Sequence, residues 1–300
     1  MAFQPISLNI IGCGRAARTL VRLWIERGLV RVLGVVNRTL ASGAEATAFL
    51  GQGTPFAAWW ALPQADALLL GVPDQEISHL VDELRHASTI PARSFVFHLS
   101  GALGSEVLSP LRSFGVQVAS LHPVMTFAEP TRVLGQLSGC VYTLEGDAAP
   151  CQTLAQIVEL TGGKILSITP EQKPVYHAAL VFACNYLVVL VDIGLELLAR
   201  VGFPSEEGRQ AIGPLVEAAM ENCFELGPGR SLTGPVARGD AEVVARELDA
   251  LRRLNPRWGT LYRLLAEEAL CMAVREGLVD EGKARVLSKI LSDRVDTPDV

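Results

Sequence analysis

The chain has 300 residues, 49% of them hydrophobic and 19% charged, with a formal net charge of −6. This is long enough for two domains with real cores, and the acidic balance offers no basic face to nucleic acid or an anionic membrane surface. The six cysteines (Cys13, Cys140, Cys151, Cys184, Cys223, Cys271) form no Cys-x-x-Cys pair, which argues against a zinc site and for reduced thiols in a cytoplasmic protein.

No basic n-region of a secretory signal precedes the first strand, "ISLNIIG". A helix, "RAARTLVRLWIERG", comes next, with apolar residues three to four apart, and ends at Gly28. Then come the strand "VRVLGVVN", the helix "LASGAEATAFLG" and a weak third strand, "TPFAAW". "DALLLGV" is unbroken apolar, as a strand buried on both faces should be. "SFVFHLS" and "VQVASLH" are the fifth and sixth strands, and "GCVYTLEG" and "KILSIT" flank the helix "PCQTLAQIVELTG". Strand–helix alternation predicts an α/β fold with a Rossmann-like, doubly wound, mainly parallel sheet over residues 1–168.

After 169–174 the strands stop, and residues 169–300 read as an all-α domain with helices near 174–201, 205–227, 240–254, 257–276 and 280–294. Gly213-Pro214 should kink or split the second of these. Asp240 is placed to cap the third. The stretch "ALVFACNYLVVLVDIGLELLA" (179–199) is long enough to raise a membrane question. Asn185, Asp192 and Glu196 interrupt it, so a central buried helix is expected instead.

Gly12-x-Gly14-x-x-Ala17 lies between the first strand and the first helix, the context a dinucleotide fingerprint requires. Gly12 permits the tight turn, Gly14 lets backbone approach a pyrophosphate, and Ala17 lets helix and strand pack closely. Arg15 and Ala16 belong to the first helical turn, whose free N–H groups and positive dipole end face phosphate. No acid comes after the second strand to take a ribose 2′-OH. Asn37, Arg38 and Thr39 stand there instead and suit a 2′-phosphate, hence NADP(H). Val72 and Pro73 form an apolar turn that could lie along ribose and nicotinamide, with Asp74 capping the next helix. His98 reads as a packed histidine. Ser100-Gly101 offers a hydroxyl and free N–H groups to a substrate or carboxamide, and a plain Ser-Gly turn fits equally.

His122-Pro123 ends the sixth strand. Proline lacks an N–H and should stop the ladder there, leaving a rigid imidazole on the edge of the sheet where ligands bind. An imidazole suits proton transfer in either direction at neutral pH. Lys173, His177 and Asn185 are the strongly polar residues of the next helix before Asp192. His177 and Asn185 lie about 80° apart around its axis, so both could border a substrate or bond to a neighbouring helix. Arg238 could grip a substrate carboxylate or pair with Asp240.

"HLSGAL", "SLHPVMTF", "YHAALVFACNYL" and "LTGPVARGD" together resemble a family with a Rossmann-like N-terminal domain and an all-helical C-terminal domain of unknown function. That family is similar to deazaflavin-dependent NADP reductases, pyrroline-5-carboxylate reductases and ketopantoate reductases. The resemblance implies a helical domain of the 6-phosphogluconate dehydrogenase type, which commonly dimerises. His122-Pro123 with Ser100 upstream also resembles prephenate dehydrogenase, whose matching serine and histidine contact substrate. Where ketopantoate reductases carry a catalytic lysine and then an asparagine four residues on, this chain has Lys173-x-x-x-His177. That shifts the expected acid/base to His122 or His177.

The expected function is an NADP(H)-dependent oxidoreductase acting on a small oxo, hydroxy or imino acid held between the domains. His122 is the acid/base, Ser100 orients the reacting group, His177 and Asn185 line the opposite wall, and Arg238 and Lys173 bind substrate. A homodimer through the long apolar helix is expected, with no nucleic acid, membrane or metal partner. The alternatives are hydride transfer between NADP and a deazaflavin, or a non-catalytic NADP(H)-binding sensor or scaffold.

Overall fold

The computed structural model describes residues 3–292, and the chain divides into two compact units after Val188. Residues expected to open the helical domain at 169 thus stay with the sheet for a further stretch. The last two residues of the helix expected at 280–294 lie outside the described residues.

The first unit is an eight-stranded sheet. Its elements are β1 (Ile6–Ile11), α1 (Arg15–Glu26), β2 (Val30–Val36), α2 (Leu40–Leu50), β3 (Thr54–Phe56), β4 (Ala65–Leu70), α3 (Asp74–Arg85), β5 (Ala92–His98), β6 (Gln117–Pro123), α4 (Pro130–Leu134), β7 (Val141–Gly146), α5 (Ala148–Leu160), β8 (Lys164–Ser167) and α6 (Lys173–Leu180). The strand order is β3-β2-β1-β4-β5-β6-β7-β8. Every pairing is parallel except β6 with β7. One core joins the sheet to α1, α2 and α5, through Leu20, Leu50 and Leu154 among others. A second joins the opposite face to α3, through Ile77 and Leu80. This is the doubly wound architecture expected of strands with apolar residues on both sides.

β6 ends at Pro123, as expected, and its last residues pair on one side alone. β5 ends its pairing with β6 at His98↔Ser120, whereas β7 continues through His122↔Thr143 and Pro123↔Tyr142. Beyond Ser120, β6 is an edge on its β5 side, where a proline without an N–H is tolerated. Alternation then sorts the side chains. Ala119, Leu121, Tyr142 and Leu144 enter the first core. Ser120, His122, Thr143 and Glu145 are directly opposed across the ladder and share the other face.

After α6 come a π-helical turn, Val181–Asn185, and α7 (Tyr186–Arg200). The helical run Pro170–Arg200 is long and apolar enough to cross a membrane by length and composition alone. It is not the buried helix expected: Phe182 is 70% exposed and Val188 67%, and α7 contains no buried residue.

The second unit continues with α8 (Ser205–Leu226), α9 (Pro228–Ser231), α10 (Pro235–Arg238), α11 (Ala241–Leu254), α12 (Pro256–Arg275) and α13 (Glu281–Ser292). Val244, Leu270 and Leu287 lie in its core. α8 runs unbroken through Gly213-Pro214, forgoing one backbone bond rather than splitting. Residues 227–240, rich in glycine and proline, contribute the two short helices α9 and α10. Asp240 precedes α11 without a side-chain cap, because its carboxylate accepts from Arg238 Nε at 2.8 Å.

His98, expected to be packed, is fully buried at the end of β5. Its Nδ1 accepts from Ser100 N–H at 3.1 Å, and its Nε2 lies 3.2 Å from the Gly104 carbonyl. A backbone donor on one nitrogen and a carbonyl on the other define a neutral Nε2–H ring. Burial, with the nearby Lys173 charge, lowers its pKa to about 4. The unfolded chain therefore binds this proton more readily than the fold does between about pH 6.5 and 4. Stability should be constant above that window and fall on acidification through it, by about 1.4 kcal/mol per pH unit from this group. Urea unfolding of wild type and His98→Asn at pH 7 and pH 5 checks this; the variant should lose less stability between the two pH values.

Candidate functional site

The carboxyl edge of the parallel strands gathers the residues of interest. Gly12 has φ +85°, and a Cβ there would meet Val72 and Gly71 within 2.6–2.7 Å. A Cβ on Gly71 would collide with the Gly12 carbonyl and approach Ala17 Cβ at 3.0 Å. The turns after β1 and β4 are thus wedged together by absent side chains, with Val72 as the wedge. Gly14 differs: the nearest atom to a Cβ there is 4.0 Å away, and Gly14 and Arg15 are exposed. The first turn of α1 therefore presents open backbone N–H groups that could hold a phosphate. Ala16 is half-buried, Ala17 is buried, and Arg15 Nη1 reaches the Ala128 carbonyl at 3.4 Å.

The turn after β2 sorts its three expected donors. Asn37 is committed to the protein: its Oδ1 accepts from Cys13 N–H at 2.6 Å and its Nδ2 donates to the Ser42 carbonyl at 2.9 Å. It fastens the glycine loop rather than offering a donor. Thr39 caps α2, accepting from Ser42 N–H at 3.1 Å in a reciprocal capping box. Arg38 is exposed and forms no hydrogen bond or ion pair with any described residue. It is the one of the three left free for an anionic ligand.

Ser100 is buried and engaged. Its Oγ donates to Asp74 Oδ2 at 2.7 Å and accepts from the N–H groups of Ala102 and Leu103 at 3.2 and 2.9 Å. It shapes the turn after β5 and ties it to α3. Asp74 accordingly takes Ser100 instead of capping its own helix, whose N-cap position is the exposed Pro73.

His122 stands over Gly101 with two partners from α6. Its Nδ1 lies 2.7 Å from Tyr176 Oη. The His122 and His177 ring centroids are 6.2 Å apart, with planes crossing at 71°. A Cβ on Gly101 would fall 2.6 Å from His177 Cδ2 and 2.8 Å from His122 Nε2, so the glycine is the floor on which both rings rest. Burial lowers His122 to about 4, helped by the Lys173 charge and by His177. His122 is therefore neutral at physiological pH. Asn185 does not join this group: it ends the π-helical turn and is exposed.

Lys173, one turn before Tyr176, is 1% exposed and inaccessible to a substrate. Its Nζ donates to the Ser100 carbonyl at 2.9 Å and to Ser120 Oγ, and lies 3.7 Å from Glu145 Oε1. Glu145 is itself held by Ser105, through N–H at 2.7 Å and Oγ at 2.6 Å. Burial lowers Lys173 to about 8, against the opposing pull of Glu145. In the second unit, Arg238 is exposed and paired with Asp240, the surface arrangement its sequence neighbourhood allowed.

Sequence reasoning passes over Tyr176, Thr143, Glu145 and Ser120. The signal is present as polar–apolar alternation in "ASLHP" and "YTLEG", which places two polar residues of each strand on one face.

Residues 3–123 match a Rossmann-like domain, and residues 140–269 match DUF2520, a domain of unknown function. No curated protein matches the chain in sequence. Among solved structures, protein TM1727 from Thermotoga maritima is 25% identical with a TM-score of 0.70, covering 90% of this chain and 99% of that protein. BF3122 from Bacteroides fragilis, provisionally designated an NADP oxidoreductase, is 21% identical with a TM-score of 0.73 over 89% of this chain and 98% of its own. A pyrroline carboxylate reductase from Plasmodium falciparum, solved with NADP bound, is 10% identical with a TM-score of 0.54 over 91% and 100%. The last two likenesses establish fold alone. His122, in the segment that matches the Rossmann-like domain, meets Tyr176 and His177, in the segment that matches DUF2520.

Proposed function

We propose that this chain is an NADP(H)-dependent oxidoreductase acting on a small oxo, hydroxy or imino compound at the carboxyl edge of its sheet. One juxtaposition carries the reading: an open glycine loop and a neutral, half-buried imidazole lie on the same edge, three strands apart in the order β1-β4-β5-β6. At about 4.8 Å per strand this separation is roughly 14 Å, within reach of the nicotinamide half of a dinucleotide anchored at α1. The Bacteroides and Plasmodium neighbours, by designation and by bound ligand, support the same cofactor class.

In this proposal Gly14, Arg15 and Ala16 hold the pyrophosphate on open N–H groups, and Arg38 takes the 2′-phosphate. The nicotinamide supplies or accepts hydride. His122 meets the reacting oxygen or nitrogen and exchanges its proton, while His177 closes the neighbouring wall. Ser100 and Lys173 act beneath the site, holding the turn that carries Gly101. Arg238 and Asn185 have no part.

We also propose that a second copy of this chain covers the exposed apolar part of the helical run Pro170–Arg200, from Phe182 onward. Its length, high hydropathy and exposed Phe182, Val188, Val189 and Leu190 form a larger apolar surface than a soluble monomer ordinarily leaves in water.

Arg38→Ala should weaken NADPH binding about ten- to a hundredfold, the worth of a charge-assisted contact, and leave NADH binding nearly unchanged. Isothermal titration with both nucleotides decides this, and equal losses would remove the 2′-phosphate assignment. His122→Asn should lower NADPH-dependent reduction of a panel of keto acids and cyclic imines by about 10²-fold or more. Gly101→Ala should do likewise by displacing both rings. Tight NADPH binding without turnover on any substrate would instead identify a binding protein. Light scattering of the purified protein should give a dimer mass that Phe182→Glu with Val188→Glu converts to monomer; a monomeric wild type that sediments with lipid vesicles would reverse that assignment.

A further inference from the structure

Two groups stand behind His122 in the candidate site: Tyr176, hydrogen-bonded to its ring, and Thr143, buried across the ladder from it. Tyr176 Oη is 2.7 Å from His122 Nδ1. Thr143 is the direct cross-strand partner of His122, so its side chain leaves the same face of the sheet. It is 2% exposed, and its hydroxyl has no hydrogen-bond partner of normal geometry. The Thr143 hydroxyl nevertheless acts on Tyr176: burial pushes the phenol above its usual range, and Thr143 partly offsets the rise. A buried hydroxyl without a partner is costly.

Acidity and basicity set the direction of the hydrogen bond between Tyr176 and His122. A phenol is a stronger acid than a neutral imidazole N–H, and an imidazole nitrogen is a stronger base than a phenol oxygen. Tyr176 therefore donates to Nδ1. The remaining hydrogen of a neutral His122 sits on Nε2, the nitrogen beside Gly101 and His177.

We propose that Tyr176, backed by Thr143, is a positioning residue that fixes His122 as the Nε2–H tautomer, so that the site presents a donor and is built for a carbonyl oxygen rather than an imine. This rests on the oxidoreductase reading and narrows its substrate class. A carbonyl oxygen accepts the Nε2–H bond. When hydride adds to the carbonyl carbon, the C–O π pair moves to oxygen, which takes the Nε2 proton to give the alcohol. Tyr176 passes its proton to Nδ1 as Nε2 gives up its own, so the charge left behind is a phenolate rather than an imidazolate, and solvent then reprotonates it. A protonated imine has an N–H of its own, which would oppose the Nε2–H donor, and it needs no proton on reduction.

The test has a structural and a kinetic arm. ¹⁵N-resolved NMR of histidine-labelled protein, with only five histidines to assign and His122→Asn to identify the signal, reports the tautomer directly. Near pH 7 wild-type His122 should carry hydrogen on Nε2 and not on Nδ1, and Tyr176→Phe should shift it to a mixture of both forms. Thr143→Val should move it in the same direction by less and stands in if the phenylalanine variant does not fold. An Nδ1–H ring in the wild type, or one unchanged in both variants, would overturn the proposal. In steady-state assays keto substrates should be turned over at least about tenfold faster than cyclic imines. Tyr176→Phe should lower kcat for keto substrates with NADPH affinity unchanged. Faster imine reduction would also overturn it. Absence of all turnover defeats the oxidoreductase reading, leaving the tautomer to be judged by the NMR arm.

Discussion

The ammonium of Lys173 lies almost wholly out of water, and such a burial is tolerated only where enough oxygens converge on it. Three do: the Ser100 carbonyl after β5, the Ser120 hydroxyl in β6 and the Glu145 carboxylate in β7. This one contact joins three neighbouring strands to the first turn of α6. Removing either charge would leave the other buried and uncompensated, a far larger loss than a surface pair could cause. It also determines the placement of Tyr176 and His177. Residues three and four positions on from Lys173 occupy the next turn of the helix, directly over the strand residues two positions on from Ser120 and two back from Glu145, namely His122 and Thr143. Helix and strand periodicities meet here so that one buried ion pair sets the register of His122 against Tyr176 and His177 above it.

The same contact shapes the electrostatics. Lys173 opposes protonation of both His98 and His122, and burial acts in the same direction on each. The two rings nonetheless do different things. His98 has both nitrogens occupied by backbone groups of its own turn, so its hydrogen position is a structural given. His122 has one nitrogen engaged by Tyr176 and the other turned toward Gly101. A ring with one nitrogen uncommitted to the fold is the one equipped to exchange a proton. Glycine at 101 is required because the volume of a methyl group there is already filled by the two imidazoles.

The sheet and its glycine loop were legible because they rest on local, one-dimensional signals: unbroken apolar runs, a strand–turn–helix with small residues at fixed spacing, and strand ends that must share an edge. The histidine at the end of β6 could be placed for the same reason. The features that stayed hidden needed knowledge of pairing. Pro123 ends β6 as its missing N–H suggests, but the antiparallel β7 that holds His122 and Pro123, on the side that needs no proline N–H, is not written in that dipeptide. Glu145 goes unremarked and Lys173 reads as a substrate ligand, because their burial depends on each other across 28 residues of chain. Asn37 and Ser100 stand where ligand donors are sought, yet both are spent on the loops that frame the site. Arg38, whose neighbours left it unpaired, kept the role its position suggested as a proposal.

The misplacement of Asn185 has a more specific cause. Counting eight residues from His177 at 100° per residue keeps the two within one sector of the helix, but that count holds only for an unbroken α-helix. The π-helical turn Val181–Asn185 inserts a wider turn between them and rotates the later residues of the run relative to the earlier ones. Residues of α6 are thereby free to face the polar side of β6 and β7, while the turn and the segment after it present a different face, with Phe182 and Tyr186 edge-on at 5.2 Å and both exposed. One continuous helical run thus serves two purposes that a regular helix would have set against each other. Its first turns are clamped by a buried charge to build a site, and its remainder carries an apolar surface that the charge clamp neither needs nor covers.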